Sequence, residues 1–114
     1  MIGSTEDQRL FERVPARFPT KFRDSSDDFG TDIVLRDLSA RGIKITTKQH
    51  LFINDSVSLL VKLPDGNDPM VLNARVIWTK EKSPDVWDAG LNFHKIHLMG
   101  LHRVFKYLTE PPPD

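Results

Sequence analysis

The chain predicts a mainly β fold: a six-stranded antiparallel β-barrel with one C-terminal α-helix. Three observations predict it. Six short segments alternate apolar and polar residues with the period of two that a half-buried strand imposes. Clusters of Asp, Ser, Asn, Gly and Pro punctuate them at regular intervals. After Phe93 the apolar spacing becomes three and four, the period of a helix. The 114 residues suffice for one domain with a single modest core. Its expected span is residues 9–109, between a polar tail at 1–8 and a proline-rich tail at 110–114.

The first strand needs an argument. Arg9, Arg13, Arg17 and Lys21 recur every four residues, as on a cationic helix stripe. Pro15 and Pro19 defeat that reading, because a proline inside a helix removes a donor and clashes with the previous turn. Val14, Ala16, Phe18 and Phe22 instead alternate with Arg13, Arg17, Lys21 and Arg23. An edge strand or bulge follows, with both prolines outward and Phe18 and Phe22 facing the core.

The later elements are plainer. Asp24 to Asp28 with Gly30 signals a turn, and Ile33-Val34-Leu35 reads as a short strand reaching Asp37. Ile43 and Ile45 alternate with Lys44 and Thr46; Val57, Leu59, Val61 and Leu63 mark the next strand. Pro64 to Pro69 is a hairpin loop, from which Met70, Leu72, Ala74, Val76 and Trp78 return in the same period. Lys80 to Asp85 reads as another polar turn, and Ala89, Leu91 and Phe93 as the sixth strand. Leu98, Leu101, Phe105 and Leu108 then define a helix of about three turns, stopped by Pro111 to Pro113.

Composition excludes several functions. Sixteen basic and sixteen acidic residues cancel, which argues against indiscriminate binding of DNA or RNA. With no cysteine there is no disulfide and no thiol nucleophile. Met1 to Gln8 lacks the pattern of a secretory signal, and no apolar run approaches the roughly 20 residues that cross a bilayer. The expectation is a cytoplasmic protein without membrane insertion. His94, His97 and His102 straddle a strand-to-helix junction and have no cysteine partner, so surface histidines are the better reading than a metal site. Asp24, Asp27 and Asp28 lack a calcium-loop pattern, and Ser39 has no evident base. No enzyme, resident metal or cofactor is expected.

Two segments remain that suit a ligand. Arg9-Leu-Phe-Glu-Arg13 offers two forked cations on a loop ahead of the first strand. Asp37-Leu-Ser-Ala-Arg-Gly42 offers a carboxylate, a hydroxyl and a glycine at a strand end. Guanidinium groups donate in forks to guanine O6 and N7, grip phosphates and stack on bases. The pair therefore suits an anionic, guanine-bearing ligand. Arg13-Val-Pro-Ala-Arg17 has the same arginine spacing, but Val14 begins the strand, which leaves Arg9 and Arg13 on the loop.

On these two motifs the chain resembles the PilZ domain family, bacterial receptors for cyclic di-GMP. Val14 to Pro19, Arg75-Val-Ile-Trp78 and Ala89-Gly-Leu-Asn-Phe93 resemble its first, fifth and sixth strands. The resemblance implies a six-stranded barrel with a C-terminal helix and cyclic di-GMP as the ligand. It implies that Arg9 and Arg13 stack on guanine and grip phosphate. Asp37 would accept from the guanine N–H groups and Ser39 would donate. Gly42 would take a positive φ and let backbone approach the ligand. An unidentified protein effector in motility, surface attachment or exopolysaccharide control is implied as partner; the alternative is a module of the same fold that binds no nucleotide. Secondary candidates surround this set. Gln8 stands where some relatives carry a further arginine linked to a second stacked nucleotide, which favours one bound molecule. Arg41 adds charge to the site or is simply solvated. Trp78 caps the site by stacking or faces inward as core, and Gly90 marks a close backbone approach, a bulge or a ligand contact.

Overall fold

The computed structural model describes residues 14–94 together with His102 and Arg103. Seven hydrogen-bonded segments appear: β1 (Val14–Pro15), β2 (Thr20–Phe22), β3 (Ile33–Leu38), β4 (Gly42–Thr47), β5 (Ser56–Val61), β6 (Met70–Ser83) and β7 (Val86–Phe93). Every pairing is antiparallel, in the order β1-β3-β4-β7-β6-β5-β2. β1 and β2 stand at opposite ends of that order, yet only Ala16 to Pro19 lie between them in the chain. They are two halves of the expected first strand. One broken strand thus lines both edges and nearly closes the sheet, so the count of six strands holds.

The prolines explain the break. Neither can donate to a ladder, so this strand cannot pair continuously with one neighbour. The Ala16 amide donates to the Arg36 carbonyl at 3.2 Å on the β3 side. Three residues on, the Pro19 carbonyl accepts from the Lys62 amide at 2.8 Å on the β5 side. Both prolines are exposed; Ala16 and Thr20 are buried, and Phe18 and Phe22 pack half-buried against the core. Buried Thr20 is satisfied locally, its hydroxyl donating to the Phe18 carbonyl at 2.9 Å.

Alternate positions of the strands fill the barrel. Ile33, Leu35, Leu38, Ile43, Ile45, Leu59, Val61, Leu72, Val76 and Leu91 are all almost fully buried. Each such side chain contributes about 1.5–3 kcal/mol relative to exposure. At one mouth Leu51 is buried while His50 stacks on Trp87, ring centroids 4.6 Å apart. At the other, Gly66 takes φ 75° in the β5–β6 loop. There Arg103 forks onto Asp65, with Nε to Oδ2 at 2.8 Å and Nη2 to Oδ1 at 3.1 Å.

The polar turn expected over Lys80 to Asp85 is corrected. β6 runs on to Ser83, and the turn shrinks to Pro84 and Asp85, the latter at φ 62°. Lys80, Glu81 and Lys82 are polar because this ribbon is exposed, not because the chain turns there. His102 and Arg103 are helical; the rest of the expected helix lies outside the described residues.

Candidate functional site

The turn between β3 and β4 is built from its own side chains. The Ser39 amide donates to the Gly42 carbonyl at 2.9 Å, and the Ser39 Oγ accepts from the Arg41 amide at 3.2 Å. The Arg41 carbonyl in turn accepts from the Phe93 amide at 2.9 Å, which seats the turn on β7. Ser39 is buried, and accepting the Arg41 amide leaves its hydroxyl proton for another acceptor. Arg41 is exposed.

Gly42 is required for a different reason from the one expected. Among the described glycines, positive φ belongs to Gly30 and Gly66, not to Gly42. A Cβ at Gly42 would instead overlap the Leu91 carbonyl oxygen and stand 3.1 Å from Asn92 Oδ1. The close approach that the structure shows at this glycine is to strand β7.

Two β-bulges then bring the remaining candidates onto one face. In the β3–β4 ladder the register shifts between Leu35 and Asp37, so Asp37 pairs with Lys44 on the outer surface. In the β6–β7 ladder it shifts between Val76 and Trp78, so Trp78 pairs with Gly90. The bulge turns Trp78 away from the inward face. Val76 is fully buried and strict alternation would turn Trp78 inward too, but the extra residue, Ile77, leaves Trp78 37% exposed. A Cβ on Gly90 would fall inside the indole, so the absence of a side chain there lets the ring lie against β7.

These pairings compose a single cross-strand row. Pro15 pairs with Asp37, Asp37 with Lys44, Lys44 with Gly90, and Gly90 with Trp78. Ile43 and Ile45 are buried, so the half-buried Lys44 between them points outward. One step along, Gly42, Asn92 and Arg75 make a second row on the same face. Asp37, Gly42, Gly90 and Trp78 are thus brought together, with the Ser39–Arg41 turn at the edge. Lys44, Asn92 and Arg75 were not singled out from the sequence. Alternation around Ile43 and Ile45 gives Lys44 an outward face, but the bulges that align it with Trp78 carry no composition signal. Gln8, Arg9 and Arg13 lie outside the described residues.

Among the described residues, the candidate side chains lie on the outer face of the sheet. A crevice of about 530 Å³ lined by Phe22, Asp24, Gln49 and Ser56 contains none of the candidate residues. Among the described residues, no three His, Cys, Asp or Glu side chains converge as for a metal ion. No helix among them is long and apolar enough to cross a membrane.

No curated protein matches the chain. The PilZ domain, generally a non-catalytic receptor domain that binds cyclic di-GMP, matches residues 7–109. That span takes in both motifs and every described strand, and the barrel and its turn agree with it: the chain belongs to the PilZ domain family.

Proposed function

We propose that this protein is a non-enzymatic receptor that binds cyclic di-GMP through the Arg9–Arg13 loop and the Asp37–Gly42 turn and relays occupancy to a protein partner. The observation that carries the reading is the outer row from Asp37 to Trp78, which sets a carboxylate acceptor and an aromatic stacking surface on one face. Covalent continuity supports the rest. Val14 pairs with Leu38, one residue from Ser39. Consecutive Cα atoms are about 3.8 Å apart, so Arg13 cannot stand far from the turn, and Arg9 is within about 18 Å of Val14. Guanidinium groups there meet phosphates and guanine edges, while Asp37 accepts from guanine N1–H and N2–H₂.

The partner would distinguish the two states because ligand and arginines together change the charge and shape of this face. Cytoplasmic motility, attachment or exopolysaccharide machinery is the proposed setting. Calorimetric titration of the full chain with cyclic di-GMP tests the binding, with GTP and linear diguanylate as controls. Saturable heat that is lost in Arg13→Ala supports the receptor; no heat with the wild type overturns it.

A second reading, an interaction module that binds no nucleotide, is favoured by one observation: Phe52 and Ile53 are each 60% exposed beside the aromatic mouth. A silent titration combined with partner capture that fails in Phe52→Ser would select it.

A further inference from the structure

We infer that Lys44 is a ligand-gripping residue, its ammonium holding a phosphodiester of the cyclic dinucleotide over the β4–β7–β6 face. The inference rests on the receptor reading and adds a residue outside both sequence motifs.

Position comes first. Lys44 stands on the outer row, with Asp37 across one ladder and Gly90 across the other. Gly90 has no side chain, so the next group along the row is the Trp78 indole. Adjacent strands are about 4.8 Å apart, which sets the Lys44 and Trp78 backbones about 10 Å from each other. A lysine stem spans much of that interval. A base stacked on the indole leaves its sugar and phosphate directed across Gly90 towards the ammonium.

Charge comes second. Lys44 is half-buried, and its side chain makes no hydrogen bond or ion pair with the described residues. An ammonium in no ion pair is available to an anion that a ligand delivers. Lysine is a compact point charge with three donors, suited to a phosphate oxygen, while Asp37 is suited to the guanine N–H edge. The two adjacent residues therefore divide the ligand, one taking base and the other backbone. Were Lys44 only a neighbour that steadies Asp37, its charge would not enter the salt dependence of ligand binding.

The test is calorimetry on the full chain with cyclic di-GMP at several salt concentrations. Lys44→Met keeps the apolar stem and removes the charge. Affinity is expected to fall about 10- to 100-fold, with a shallower salt dependence because one screened charge pair is gone. Lys44→Arg is expected to restore most of the affinity. Lys62→Met, which removes an exposed cation near Phe29, is the charge control and should bind as the wild type does. Lys44→Gln, polar throughout, replaces Lys44→Met if the latter melts early. Wild-type binding with an unchanged affinity and salt slope in the Lys44 variants overturns this inference alone. Absence of wild-type binding overturns the receptor reading and this inference with it.

Discussion

At the scale of single residues, two glycines on one face do different work. A Cβ at Gly42 would meet the Leu91 carbonyl, which is backbone and cannot swing aside. Gly42→Ala should therefore cost about 2–4 kcal/mol, lowering Tm by on the order of 10 °C or more in a thermal melt. At Gly90 the obstacle is the Trp78 side chain, which can rotate away. Gly90→Ala should keep more of the stability but expel the indole, read as a shift in Trp78 fluorescence with Trp87 replaced by Phe. Arg13→Ala removes a proposed charge partner of the ligand, for an expected loss of about 2–4 kcal/mol in binding, or roughly 30- to 1000-fold in Kd. Glycine was readable in the sequence as a sign of close approach; which atom approaches was not. The Leu91 carbonyl lies 49 positions away and reaches Gly42 only through the β4–β7 ladder.

At the scale of elements, alternation made most strands legible. Ile43 and Ile45, Leu59 and Val61, and Met70, Leu72, Ala74 and Val76 all face inward as their period requires. Irregularity was not legible. Ile77 resembles any strand residue, yet its insertion turns Trp78 outward and makes the candidate face. The polar Lys80 to Lys82 stretch reads as a turn in sequence because a ribbon without a core to face lacks the apolar alternation that marks a strand. The Arg103 side chain forks onto Asp65 of the β5–β6 loop. The Asn67 backbone N–H, then Arg103, hold the Asp65 carboxyl below its usual 3.8 despite the opposing effect of partial burial. A lowered folded pKa means that the native state binds fewer protons, so this contribution is complete above the unfolded value and fades as pH falls through the folded one. Asp65→Asn should therefore be less stable at pH 7, with a flatter stability profile between about pH 5 and 2, measured by urea unfolding across that range.

At the scale of the molecule, the proposed receptor should become more stable when occupied. A ligand that binds only the folded state adds about 2.7 kcal/mol at 100 times its Kd, so cyclic di-GMP should raise Tm while GTP leaves it unchanged. The barrel class was legible because the six alternating segments agree with one another, even where the turn after Lys80 is shorter than expected. Its mode of closure was not, since two prolines in a strand announce an interruption without saying that the chain crosses from one edge to the other. That crossing has a consequence. The stave that shuts the barrel continues directly, through Val14, into the stretch that bears Arg9 and Arg13. Whatever seizes those arginines pulls on a seam stitched by few bonds, among them the Ala16 and Lys62 amides. In the proposed receptor, a messenger captured there would act as a latch on the wall of the molecule, and the slowing of deuterium uptake at those two amides is where the latch would be felt.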